Sequence, residues 1–377
     1  MSVPQFDPAA PQRGPASGSV SEIEYAEGGT WRLIRRHLLN VVLMILTLGL
    51  YRFWAITLMR QILWRRINLA GQPLEYTGTG LEIFLGFLRV FLIVLLPLGI
   101  IYMLIELMVE RSAPAADLTT LQAIDFGYAM IILMLIEMGR FLSWRYRISR
   151  TRWRGIRGRI ELTASKYLQV AVASALMIIL SGWLLKPIVD LYRARMVIGA
   201  LNVGGLRGRY VGGVFRLLGV WIAIWLAYGA AIVGAVVYFF SRTTLSLLGP
   251  APSPDTESQA VLTAFAIVFL VAVLGIHLLC VYRVAFWRWI CKASSVGPVR
   301  VAFSGTAISL TWLTLVNWLI LILSVGLLAP ITWERKIRYL AANVVVYDMP
   351  DPANLRQVGE DDSSIGGEGL AGDFDIA

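Results

Sequence analysis

Seven long apolar stretches run through this chain, roughly Leu33–Leu50, Ile83–Val109, Ile124–Leu142, Tyr167–Leu185, Val214–Phe240, Ala260–Val281 and Ala307–Leu328. They leave few folds open. Crossing about 30 Å of hydrocarbon takes about 20 mostly apolar residues. One such run suits a buried helix of a soluble domain, but seven within 377 residues leave too little polar surface to face water. Only 15% of residues are charged, against about a quarter in soluble domains. The fold class is therefore mainly α, a polytopic membrane protein built from helical hairpins.

The charges orient it. A net charge of +10 is no nucleic-acid signal here, because the cations sit beside the apolar runs, where they meet anionic headgroups. Of 34 Lys and Arg, only Arg111 and Arg242 fall in the loops Glu110–Thr120 and Ser241–Gln259. The opposite ends carry Arg140, Arg145, Arg147, Arg150, Arg152, Arg154, Arg157 and Arg159 in one cluster, and Arg283, Arg288, Lys292 and Arg300 in another. The positive-inside rule puts those loops outside a bacterial inner membrane and both termini in the cytoplasm. Residues 1–21 are polar and lack the apolar core of a signal peptide. Cys280 and Cys291 read as reduced thiols.

The other three apolar segments, beginning at Leu33, Tyr167 and Ala307, have cations at both ends and read as hairpins that return to the cytoplasmic side. Each carries a turn signal near its end: Leu46-Thr47-Leu48-Gly49-Leu50, Leu180-Ser181-Gly182-Trp183-Leu184 and Leu323-Ser324-Val325-Gly326-Leu327. Phe53-Trp54, Pro187-Ile188 and Pro330-Ile331 follow, then a basic amphipathic stretch. Glycine suits a helix C-terminus and proline the first turn of the next, so each unit reads as helix–turn–helix. Short alternating segments bracket the units: Ile23–Ala26 with Leu74–Thr77, Arg159–Thr163 with Arg207–Val211, and Val299–Phe303 with Asn343–Tyr347. They predict cytoplasmic β-strands, since open strand edges cannot sit in lipid. The expected organisation is a threefold internal repeat: a disordered tail 1–21, units 22–80, 146–213 and 283–347, transmembrane hairpins 81–145 and 214–282, and a disordered acidic tail 348–377.

Gly49-Leu50-Tyr51-Arg52-Phe53-Trp54, Leu63-Trp64, Glu75-Tyr76-Thr77-Gly78-Thr79-Gly80 and Thr151-Arg152-Trp153-Arg154-Gly155-Ile156-Arg157 resemble the YjgN-like family of bacterial inner-membrane proteins. The resemblance runs from about Tyr25 to Asn343 and departs at Ala55–Gln61, which is less basic than it implies. It implies location and fold but no activity or site residues.

No catalytic, metal or cofactor motif is present, and the chain reads as no enzyme. His277 and Cys280 share a helix face without further ligands nearby, so His277 reads as a packed helix residue. Polar groups inside apolar segments are better leads. Aligning Phe53, Pro187 and Pro330 places Asn40, Ser174 and Asn317 at one offset, thirteen residues earlier. Glu137 and Arg140 are spaced to pair. Arg60, Arg65 and Arg66 would together cost roughly 8–10 kcal/mol at the bilayer midplane. With Arg152, Arg193, Arg195, Arg288, Arg335 and Arg338 they are candidate contacts for anionic lipid headgroups or an anionic solute. Two functions remain: a transporter or channel-like protein with a cytoplasm-facing basic vestibule, or a structural protein binding anionic lipid. Neither expects a cofactor or nucleic acid, and no protein partner is indicated.

Overall fold

The computed structural model describes residues 20–26, 28–112, 118–213, 215–248 and 253–350. The two tails beyond these limits and the centres of both external-reading loops, 113–117 and 249–252, lie outside the described residues.

Ten short strands close into one antiparallel barrel. They are β1 (Val20–Tyr25), β2 (Ile67–Leu69), β3 (Gln72–Tyr76), β4 (Thr151–Trp153), β5 (Ile156–Ile160), β6 (Leu201–Val203), β7 (Leu206–Tyr210), β8 (Ser294–Val296), β9 (Val299–Phe303) and β10 (Val344–Tyr347). Neighbours follow chain order, and β1 pairs with both β2 and β10 to close the ring. Four two-residue turns set the register. Ala70-Gly71, Arg154-Gly155 and Gly204-Gly205 have positive φ at both positions, as a type I′ turn demands. Gly297, with φ 56°, precedes Pro298, the arrangement of a type II′ turn. Strand β1 begins and β10 ends where a fifth hairpin would be, with Val20 opposite Tyr347.

Between hairpins the chain makes five helical excursions. Three are short: α1 (Thr30–Leu46) with α2 (Arg52–Trp64), α6 (Ala164–Leu180) with α7 (Lys186–Gly199), and α10 (Ala307–Leu323) with α11 (Ala329–Asn343). Two are long. One runs α3 (Gly80–Val90), a π turn at Phe91–Leu95, α4 (Leu96–Ser112) and α5 (Leu118–Arg150). The other pairs α8 (Leu218–Leu248) with α9 (Pro254–Ala293). The π turn has a local cause: Pro97 offers no N–H, and Leu96 N–H reaches back five residues to Phe91 O. Antiparallel pairing puts both feet of every excursion at one end of the barrel, with the tight turns, the start of β1 and the end of β10 at the other. Successive helices pack side by side, and α11 packs on α1, so the helices too form a ring. Helices α2, α5, α7, α9 and α11 lie on strands β3, β5, β7, β9 and β1. Glycine allows this at β7, where a Cβ on Gly208 would stand 2.0 Å from Ile198 O.

Four helical segments, Gly80–Val109, Thr119–Arg150, Leu218–Ser246 and Asp255–Ala293, are long and apolar enough to cross a membrane. The long excursions extend past the boundaries 145 and 282 expected from sequence. Residues after Tyr146 and Tyr282 stay helical to Arg150 and Ala293 because their apolar side packs inward, as Ile148 does beside Gly158 and Trp289 beside Tyr282. Strand β5 runs Ile156–Ile160 instead of Arg159–Thr163: it begins directly after the Arg154-Gly155 turn, and Thr163 is taken as the N-cap of α6.

Candidate functional site

Strand register sorts the barrel residues onto two faces. Tyr76, Ile156, Gly158, Ile160, Gly208, Tyr210, Val301 and Phe303 fall on one, and this is the face packed by helices. Five helices, α2, α5, α7, α9 and α11, pack on this face, more than a ten-stranded barrel could enclose, so it is the outer one. Burial raises the hydroxyl pKa of Tyr210 there, and that of Tyr25 near the α11 contact.

The other face lines the interior. Following pairs round the ring, Glu24↔Asn68↔Pro73, Glu75↔Arg152↔Arg157, Arg159↔Asn202↔Arg207, Arg209↔Ser295↔Arg300 and Ala302↔Val345↔Glu22, returns to the same face. Every arginine in the ten strands lies on it: Arg152, Arg157, Arg159, Arg207, Arg209 and Arg300. So does every acid, and no strand contains lysine. The acids sit on β1 and β3, the arginines on β4, β5, β7 and β9, so the interior is polarised. Glu24, Glu75, Arg207, Arg209 and Arg300 are solvent-exposed, and Arg152, Arg157 and Arg159 are half-buried. Asn202, buried, donates Nδ2–H to Glu161 Oε1 at 3.0 Å. Arg300 pairs with Asp348 at 2.6 Å.

Of the arginines singled out from sequence, Arg152 alone lines this interior. The others divide among packing contacts and the outer surface. Arg60 is buried, donating to Tyr76 OH at 3.3 Å. Arg66 and Arg338 converge on buried Glu334 at 3.5 and 3.4 Å. With His37 edge-on to Trp333 at 5.5 Å, they close the seam between α1 and α11. Arg193 ties α7 to α5 through Glu137 at 2.8 Å, and Glu137 also takes Arg140 at 3.2 Å. Arg288 caps the Ser304 and Gly305 carbonyls. Arg335 is half-buried, while Arg65 and Arg195 are exposed. The missed interior arginines had a visible signal: Ile156-Arg157-Gly158-Arg159-Ile160 and Leu206-Arg207-Gly208-Arg209-Tyr210 repeat one alternating pattern.

Asn40, Ser174 and Asn317 are all buried in α1, α6 and α10. The three short turns are alike in detail. Thr47, Ser181 and Ser324 each donate a hydroxyl to a carbonyl one turn back, Leu43, Ile178 and Ile320. Each also accepts the N–H four residues on, from Tyr51, Leu185 and Leu328, at 3.0, 3.2 and 3.2 Å. Six successive N–H groups are bonded in every turn. The tips are nevertheless apolar and bare: Leu48 is 95% exposed, Leu180 86% and Val325 89%. Tyr146 and Tyr282, on the long helices, also match: each donates to a carboxylate, Glu82 or Asp190, with a cation, Arg150 or Lys186, over its ring at 5.5 Å.

On the outer face, a groove of about 470 Å³ lies between β4, β5 and α5, lined by Trp64, Trp144, Arg147, Trp153, Ile156 and Leu201. His277 Nδ1 lies 2.9 Å from Thr311 Oγ1, and no metal-holding group of His, Cys, Asp or Glu occurs among the described residues. A family described as bacterial protein of unknown function, DUF898, matches residues 26–373. No curated protein and no solved structure matches the chain.

Proposed function

The chain belongs to the DUF898, or YjgN, family of bacterial proteins of unknown function, and from its own geometry we propose a channel-like or transporter role in the inner membrane, with the barrel as a cytoplasm-facing basic vestibule. The observation that carries this is the polarity of the barrel. A barrel closed only for stability fills its interior with apolar side chains. Here most apolar strand residues face outward onto helices, Ala302 and Val345 being exceptions, and every arginine of the strands faces the interior, where Arg207, Arg209 and Arg300 are exposed.

In this reading the four long helices cross the bilayer, and the three short excursions re-enter it as copies of one unit. Two features support re-entry. The tips expose leucine, tryptophan and valine, which suits hydrocarbon better than water. Their backbone N–H groups are all bonded within the turn, which irregular backbone in lipid requires. The cation-rich barrel end then lies in the cytoplasm, with both termini. The chain acts without chemistry of its own.

The test is access plus flux. With Cys280 and Cys291 replaced by serine, a thiol introduced by Arg209→Cys should react with a charged, membrane-impermeant reagent in inside-out but not right-side-out vesicles. Arg207→Glu combined with Arg209→Glu should change anion flux in proteoliposomes while the protein still elutes as a folded particle. An unreactive thiol together with unchanged flux would overturn the vestibule.

The tryptophan-lined outer groove supports a second reading, a protein that binds anionic lipid without transport. Its apolar floor fits an acyl chain, and exposed Arg65 and Arg195 fit headgroups. Co-purified lipid no richer in anionic species than the surrounding membrane would count against it.

A further inference from the structure

The outer groove runs along α5 and strands β4, β5 and β6, with indole rings in its wall. We propose that it binds a long-chain fatty acid from the cytoplasmic leaflet, with the chain along the groove and the carboxylate at Arg154. The proposal rests on the lipid-binding reading of this groove and names its ligand; it needs nothing of the vestibule.

Hydrogen bonding within the protein decides what the groove can hold. Trp64 Nε1–H donates to Thr151 Oγ1 at 3.1 Å, and Trp153 Nε1–H donates to Leu69 O at 3.0 Å. The Thr151 hydroxyl in turn donates to Arg147 O at 2.8 Å. Arg147, the charged residue of the lining, is likewise engaged within the protein. What remains for a ligand is mainly the apolar surface of rings and aliphatic side chains. A sugar or a peptide would bring hydroxyls or amides short of partners, and burying them unpaired is unfavourable. A peptide strand also finds no edge to extend, because the barrel is closed. A hydrocarbon chain requires contact alone. The volume of about 470 Å³ lies toward the lower end of small-ligand sites, about 300–1,000 Å³, and suits one chain better than two.

The two ends of the groove differ in the way an amphiphile requires. Trp144, 51% exposed, stands on α5 within Thr119–Arg150, a segment apolar enough to cross a membrane, so this end adjoins the bilayer. At the other end Trp153, Ile156 and Val203 stand beside the turns Arg154-Gly155 and Gly204-Gly205. There Arg154 is exposed, its guanidinium 5.2 Å from the centre of the Trp153 ring. A stacked guanidinium uses its face on the ring and keeps its N–H edge, which matches the two oxygens of a carboxylate. Among the described residues no acid lines the groove. It therefore leads from hydrocarbon at α5 to a cation at the turn, the polarity of a fatty-acid anion.

Palmitate carrying a mid-chain diazirine, photolysed with the full chain in neutral-lipid nanodiscs, should label Ile156, Leu201 or Val203 as located by mass spectrometry. Unlabelled palmitate should suppress that labelling, and hexadecanol, which has the chain without the charge, should do so only weakly. Val203→Trp should fill the groove and abolish the labelling. Arg154→Asn suits the left-handed φ of 50° at that position. It should raise the palmitate needed for half-suppression about tenfold, the effect of one lost charge-assisted hydrogen bond. Arg195→Gln, exposed on α7, should change nothing. Labelling confined to the long hairpins, or unaltered by either groove variant, overturns the proposal. Chain-labelled phosphatidylglycerol separates that failure from failure of the lipid-binding reading. If it marks the lining where palmitate does not, the groove holds phospholipid and the fatty-acid proposal falls alone; if neither marks it, both fall.

Discussion

Ser324→Ala isolates the environment of a hairpin tip. In the parent, the Ser324 hydroxyl accepts Leu328 N–H at 3.2 Å and donates to Ile320 O at 2.6 Å. Ile320 O keeps a partner after the change, because Ser324 N–H also bonds it at 3.0 Å. The net loss is one acceptor for one backbone N–H. Water replaces that acceptor at little cost. In hydrocarbon nothing does, and an unsatisfied N–H costs about 1–3 kcal/mol. Ser324→Thr keeps the hydroxyl, as Thr47 does in the first turn, and should stay within about 0.5 kcal/mol of the parent. The assay is equilibrium unfolding in mixed micelles, followed by tryptophan fluorescence. A loss of about 2 kcal/mol for Ser324→Ala over Ser324→Thr supports a dry tip. Indistinguishable variants would mean that water reaches Leu328 N–H, and the re-entrant placement of α10 would fall.

Two further outcomes follow from the seam and the barrel. Glu334→Gln leaves Arg66, only 14% exposed, without its carboxylate, and should cost about 3 kcal/mol by the same unfolding assay; an unchanged midpoint would show that the seam is held by His37, Trp333 and their neighbours instead. Tyr25 has its pKa raised above 10.0, chiefly by burial and in part by Glu334, against a lowering hydrogen bond from Arg66. Between 10.0 and that raised value the folded chain holds a proton that the unfolded chain has lost, so stability is full below pH 10 and falls as pH rises above it. An alkaline stability profile should show that fall, and Tyr25→Phe should flatten it; an unchanged slope would assign it to other groups.

The helical part of this fold was legible because its signals are local. Apolar length marked the long helices, charge asymmetry marked the barrel end of each, and Thr47-Leu48-Gly49, Ser181-Gly182-Trp183 and Ser324-Val325-Gly326 marked turns whose left-handed residues the structure places there. Asn40, Ser174 and Asn317 share one offset before Phe53, Pro187 and Pro330 in the sequence, and all three are buried. Arg60 shows the limit of such reading, since burial against Tyr76 depends on a strand sixteen residues away.

By itself, then, the sequence determined which segments are apolar enough for a membrane and where the three short helical pairs turn, because spacing, capping and hydrophobic length act within a few turns of chain. Only the tertiary structure decided that ten strands close into one ring. Strands as short as Ile67–Leu69, Thr151–Trp153, Leu201–Val203 and Ser294–Val296 are too short for alternation to mark them. Their pairing is fixed by partners up to about a chain length away, as Val20 with Tyr347. Closure in turn decided which side of each strand is interior, and so turned Arg157, Arg159, Arg207 and Arg209 from scattered basic residues into neighbours on one inward face.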